Sequence, residues 1–340
     1  MISKSLFKMI RRKSAYLIMV TIPLLVSGCG METSELGALV PPTVDQEPNY
    51  PALAIEVAGQ ERLVHYQTFG DPRNPVLFIM PGSLSDICAY LPLQELQDKY
   101  FVVFWEQRGN GLSERVTERE LSYDAMVEEI HAIKNHFSPD RPVTLMGHSW
   151  SAVFAAMYLA KHPEAVDQAI LMEPFGLKSE FMEAVDVPLH LTSKGYLDMM
   201  YSSKYMTARD HEMLDYQMLS VLKSGVRSYF CDEDHLPPWP VCRVGGYALL
   251  IWEKNLLNGT RYDYDFTRGL AAFSGEVLLI GSSCSPIGYA FQETYHLPLF
   301  QHARVLKIEN SGHRIVTEQY HALLDGLQEF LTPYQTAVNK

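Results

Sequence analysis

Gly147-His148-Ser149-Trp150-Ser151 sets one serine at the junction of two contrasting segments. Before it runs the apolar stretch Val143–Met146, which reads as a strand. After it runs Ser151-Ala152-Val153-Phe154-Ala155-Ala156, the start of a small-residue helix. A sharp strand-to-helix turn holds a serine hydroxyl clear of the backbone with a helix N-terminus beneath it, and so favours a nucleophile. The final position must be small because the backbone packs tightly there, and Ser151 stands where glycine is usual. The five residues alone are weakly specific; their placement carries the assignment of Ser149. A rival, Gly281-Ser282-Ser283-Cys284-Ser285, also follows a strand, but Pro286 comes next rather than a helix.

A serine nucleophile needs a base. Asn310-Ser311-Gly312-His313 follows the strand-like Val305–Ile308 and precedes the last helical stretch. In the chain order Ser, acid, His, this places His313 last. His148, inside the turn itself, reads as local packing. The backbone N–H of Trp150, just after the serine, is one donor for an oxyanion. A second should come from the loop after Met80, where Pro81 has no N–H, so Gly82 is the choice and Ser83 the reserve.

These residues need a frame that brings them to one edge. Val76–Met80, Phe101–Trp105, Val143–Met146 and Ala169–Met172 are continuous apolar runs, as parallel strands covered on both faces require. Helical patterns separate them at Tyr123–Phe137 and Ser151–Lys161, and Val277–Ile280, Val305–Ile308 and a final amphipathic stretch at Glu318–Leu331 complete the series. Leu53–Val57 and Arg62–Thr68 read as a hairpin around Ala58-Gly59-Gln60. The alternation predicts an α/β protein with a doubly wound, mostly parallel sheet over residues 52–175 and 269–340. Residues 176–268 break it: rich in Met and Tyr and without strand-like runs, they read as a helical cap.

The 340 residues carry a formal charge of −12, but Lys4, Lys8, Arg11, Arg12 and Lys13 stand without an acid in residues 1–28. The remainder is therefore more acidic still, which argues against nucleic acid or an anionic membrane surface as partner. The basic segment leads into the apolar Ala15–Val26 and then Ser27-Gly28-Cys29, the three-part build of an export signal. The small residues before the cysteine are similar to a bacterial lipobox. That likeness implies cleavage after residue 28, lipid on the Cys29 thiol and, with Gly30 next, the outer membrane of a Gram-negative cell; an ordinary signal peptide or an uncleaved anchor is the alternative. Residues 29–51, with Pro41, Pro42, Pro48 and Pro51, read as a flexible tether. In an exported body disulfides persist, and Cys231 and Cys242, bracketing a Pro-rich turn, are the expected pair.

Taken together the motifs resemble α/β-hydrolases of the proline iminopeptidase group over about residues 52–335. Trp105-Glu106-Gln107-Arg108-Gly109-Asn110-Gly111-Leu112-Ser113 is similar to that group's Asp-Gln-Arg-Gly-x-Gly-x-Ser turn, and Met80-Pro81-Gly82-Ser83 to a degenerate version of its oxyanion loop. The resemblance implies an aspartate three residues past Gly281, where this chain has Cys284. Gly281–Ala290 holds no acid at all. Either the site is dead or the carboxylate comes from elsewhere. Glu173 ends the strand Ala169–Met172, a position from which some α/β-hydrolases, certain haloalkane dehalogenases among them, supply their acid. A structural role for Glu173 is the other reading.

The resemblance also implies removal of an N-terminal residue from short peptides. Trp252-Glu253-Lys254-Asn255 is similar to a segment whose glutamate contacts the substrate amine, which makes Glu253 a candidate, against the reading of a solvated helix acid. No metal or organic cofactor is implied. The rivals are an ester or other amide hydrolase with an apolar pocket, and a surface lipoprotein that kept the fold for binding.

Overall fold

The computed structural model describes residues 39–185, 211–223, 226–259 and 261–331. Eight strands form one sheet: β1 (Ala52–Val57), β2 (Gln60–Phe69), β3 (Val76–Met80), β4 (Phe101–Trp105), β5 (Val143–His148), β6 (Val166–Met172), β7 (Glu276–Ser282) and β8 (Ala303–Ile308). Their spatial order is β1-β2-β4-β3-β5-β6-β7-β8. β2 pairs antiparallel with β1 and β4, and every later pairing is parallel. The doubly wound, mostly parallel expectation therefore holds.

The reason is visible in the burial. Every residue of β3, β4 and β5 is buried, which requires cover on both faces. That cover includes helix α1 (Tyr123–Phe137), helix α2 (Trp150–Lys161) and the last helix. Helix α1 starts where Ser122 accepts from Ala125 N, a side-chain cap that satisfies an otherwise orphaned N–H. Beyond β6 come α3 (His211–Lys223) and α4 (Gly246–Asn255), and the described residues end with α5 (Tyr320–Leu331).

Three expectations change. The described part of residues 176–268 is helical but also carries a short antiparallel hairpin, Leu257–Asn258 with Arg261–Tyr262; strands of two residues are too short to show a periodicity. Residues 39–51 are docked on the body rather than a free tether. Val40, Thr43 and Val44 are buried, Val44 N donates to Leu112 O at 2.8 Å, and Arg243 Nη1 donates to Pro41 O at 2.7 Å. Two buried valines and these backbone hydrogen bonds hold the segment on the body although it lacks helical or strand patterning. Third, Cys231 pairs with Cys284, not Cys242. The two cysteines of the Pro-rich turn diverge: Cys231 reaches the loop after β7, while Cys242 reaches Cys88, with the two sulfurs 2.7 Å apart. Cys29 and the segment before it lie outside the described residues, as do 186–210 of the cap.

Candidate active site

The site is built on the carboxyl ends of three adjacent strands, where open α/β sheets bind ligands. Ser149 leaves β5, Glu173 leaves β6 and Ser282 ends β7. Ser149 N donates to Met172 O and Glu173 N to Ile280 O, both at 2.9 Å, so each junction is pinned to its neighbour. Ser149 has φ +57° and ψ −120°, and Glu173 has φ +42°. Neither is glycine, so the surrounding structure holds both in an unfavourable backbone region, a pattern that clusters at functional sites.

Local packing explains the residues around the serine. A Cβ on Gly147 would lie 2.4 Å from Ser151 O, so only glycine lets the turn close. Ser151, at the position where glycine is usual, finds partners for its hydroxyl: it donates to Pro81 O and accepts from Gln107 Nε2 at 3.0 Å. The elbow is thereby tied both to the loop after β3 and to the Glu106–Ser113 turn. In that turn Arg108 forms a fully buried pair with Glu129 at 2.7 Å. Glu106 accepts from Ile87 N at 2.8 Å and from Leu112 N. Asn110 donates to Ser85 O at 3.1 Å and accepts from Gly245 N at 2.8 Å. The segment that resembles the family turn is thus a brace between the loop after β3, the elbow and the residues before α4.

Glu173 is fully buried and its carboxylate is fully engaged. Oε1 accepts from Ser282 N at 2.7 Å and from Ser282 Oγ at 2.5 Å. Oε2 lies 2.5 Å from His313 Nδ1. His313 is itself buried and lines one pocket with Ser149, Gly82, Ser83, Trp150, Tyr229 and Arg314. Cys284, where the resemblance implies an acid, is tied up in its disulfide. The rival Ser283 is exposed, and its hydroxyl accepts from Asn310 N at 3.0 Å.

Gly82 sits against the elbow, since a Cβ there would meet His148 O at 3.3 Å and Ser149 Cβ at 3.4 Å. Its N–H, however, donates to Tyr90 Oη at 3.3 Å, a partner that spacing could not reveal. Tyr90 Oη also bonds His148 Nδ1, and the His148 ring lies 4.6 Å from that of His313, centre to centre. Burial, reinforced by the neighbouring His313 and Arg314, holds His148 well below the usual imidazole range. It is therefore a neutral packing partner of His313.

Aromatic contacts tie α4 to the residue after the serine. Trp150 packs on Phe175 with ring centres 4.5 Å apart and on Trp252 of α4 at 6.0 Å. Tyr123 Oη donates to Trp252 O at 2.6 Å. Glu253, next along α4, is buried rather than a solvated acid, and its Oε1 has no hydrogen-bond partner among the described residues.

Among the described residues one group of metal-ligating atoms comes together, Asp86 with Cys88 and Cys242. Two thiolates on one tetrahedral zinc, at about 2.3 Å each, would stand roughly 3.8 Å apart. The sulfurs here are 2.7 Å apart, so the group does not have the spacing of a metal centre.

With the geometry in place, comparison with known proteins shows what the chain is similar to. A family model described as alpha/beta hydrolase fold matches residues 78–203. The proline iminopeptidase of Heyndrickxia coagulans is 31% identical over 123 residues, which is 35% of this chain and 42% of that protein. The chain thus spans less than half the length of that relative. Among solved structures, a bacterial membrane phospholipase A superposes with TM-score 0.59 at 21% identity, over 84% of this chain and 87% of that one. A putative aryl esterase from Burkholderia cenocepacia gives 0.59 at 15% identity, over 85% and 100%. The chain has the α/β-hydrolase fold.

Proposed function

We propose that the protein is a serine hydrolase acting by acyl transfer, with Ser149, His313 and Glu173 as its triad. The observation that carries this reading is the fully engaged Glu173 carboxylate 2.5 Å from His313 Nδ1, in the pocket that Ser149 also lines. In this mechanism the Nε2 of His313 takes the Ser149 proton as Oγ attacks the substrate carbonyl. Glu173 holds the proton on Nδ1 and steadies the imidazolium. The oxyanion accepts from Trp150 N–H and, because Gly82 N–H faces Tyr90, from Ser83 N–H. Collapse returns the proton to the leaving group, and water then hydrolyses the acyl-enzyme.

The finer reading is an aminopeptidase of the proline iminopeptidase kind, acting on short peptides or amino-acid amides. Its support is the similarity to proline iminopeptidases and the unpartnered buried Oε1 of Glu253. A buried acceptor without a donor is costly, and a substrate ammonium would supply one. A panel of amino-acid amides against short-chain esters tests it. Amides with a free amine should be cleaved with kcat/KM at least tenfold above their N-acetylated forms, and Glu253→Gln should erase that preference. Esters cleaved well and amides not at all would make the protein an esterase.

The export reading extends this to a lipoprotein held on the outer membrane through Cys29. Cys29→Ser should release the body from membranes or leave a heavier precursor, because without the thiol there is no lipid to hold it, and stable anchoring needs more than one acyl chain. Unchanged mass and unchanged membrane partition would overturn it. The Cys231–Cys284 disulfide supports an oxidising compartment.

A further inference from the structure

Arg314 follows the candidate base in sequence and lines the same pocket. It is only 6% exposed. The other arginines buried to this degree are matched by carboxylates: Arg108 by Glu129 at 2.7 Å and Arg243 by Asp215 at 2.9 Å. Among the described residues Arg314 has no carboxylate within ion-pair distance. Its guanidinium lies 3.4 Å from the centre of the Trp239 ring and 5.2 Å from that of Tyr229. One Nη donates a long bond, 3.4 Å, to Leu84 O, and Nε has no partner. Aromatic faces attract a cation but fill none of its in-plane donors. Burial lowers its pKa to about 10, so it stays charged at neutral pH. A buried charge left without a counter-ion is strongly unfavourable unless something completes it.

We propose that Arg314 is a specificity-determining residue that binds a carboxylate on the substrate. Guanidinium geometry suits this ligand because its planar donors match two carboxylate oxygens. Trp239, with its ring centre 3.4 Å from the guanidinium, packs against it and leaves its donor edge to the ligand. Joined to the aminopeptidase reading, on which this step rests, the carboxylate is the free C-terminus of a very short peptide. Glu253 would take the ammonium and Arg314 the carboxylate. Tyr229 feels both charges: burial raises its pKa, Arg314 lowers it and Glu253 raises it. The pocket would then prefer di- and tripeptides to long chains, whose C-terminus cannot reach Arg314.

The test measures binding without turnover. In Ser149→Ala protein, prolylglycine should bind roughly ten- to a hundredfold more tightly than prolylglycinamide, the range expected of a hydrogen bond to a charged group. Adding Arg314→Met should bring the acid down to the affinity of the amide and leave the amide unchanged; Arg314→Lys should retain part of the preference. Should Arg314→Met fail to fold, judged by thermal unfolding, the acid–amide difference in the parent and its reduction in Arg314→Lys carry the test. Equal affinities, no binding of the acid, or a preference that survives Arg314→Met would overturn the proposal. Fluorophosphonate labelling of protein with Ser149 intact reads the hydrolase assignment separately. Labelled protein that ignores the carboxylate sinks only the Arg314 proposal, and unlabelled protein that still prefers the acid sinks only the hydrolase.

Discussion

Ser149→Ala should abolish covalent labelling by a fluorophosphonate and lower turnover of any amide or ester substrate by on the order of 10⁶, the size of effect seen when a serine protease loses its nucleophile. On this reading the loss is large because the attacking atom is gone, and only the residual catalysis of the remaining pocket survives. Stability should hardly change. Alanine keeps the Cβ and faces the same backbone strain that serine bears at φ +57°. Ser149→Gly provides a sharper control: glycine takes positive φ without steric penalty, so this variant should be equally inactive and at least as stable. Labelling that persists in Ser149→Ala but vanishes in Ser283→Ala would move the nucleophile to the loop after β7. The exposed Ser283, with its hydroxyl on Asn310 N, gives that outcome little structural support.

The frame of this site is legible in the sequence because parallel strands covered on both faces have a loud signature. β3 and β4 are unbroken apolar runs, and Ser149 and Glu173 each follow such a run. Their meeting with His313 follows from strand order, which alternating β and α segments largely dictate. Contacts between distant segments leave no such trace. Cys231 and Cys284 are 53 residues apart, and nothing in their neighbours says that the cap folds back onto the loop after β7. Proximity in the chain favoured Cys242 and misled.

Single side-chain partners were equally hidden. Ser282, which anchors Glu173 through both its N–H and its hydroxyl, stands in the sequence as one of a pair of serines in a rival motif. Tyr90 takes the N–H of Gly82 from eight residues away. Arg314 carries no mark of its role in the sequence, where it is simply a basic residue beside a histidine. Only its burial against Trp239 and the lack of a carboxylate beside it among the described residues mark it out.

Glu173→Gln should lose about 10⁴ in turnover, the figure known for the equivalent change in a serine protease, with little loss of stability. The hydrogen bonds explain both halves. The glutamine side-chain oxygen can stay on Ser282, whose N–H and hydroxyl both donate to that position. This turns the amide NH₂ toward His313 Nδ1, where the carboxylate had accepted. Nδ1 must then accept, so the ring proton moves to Nε2, the nitrogen that has to receive the proton of Ser149. The base is present, correctly placed and in the wrong tautomer. Cys284→Ser should show the reverse pattern. Cys284 takes no part in proton transfer, but its disulfide closes a 53-residue span, for which chain entropy gives up to about 4 kcal/mol of stability. Turnover per folded molecule should stay within roughly tenfold, since the proposed triad is untouched, while the unfolding midpoint falls. If instead Glu173→Gln unfolds easily and its folded fraction turns over normally, Glu173 is a structural brace and the imidazole of His313 is oriented by another group.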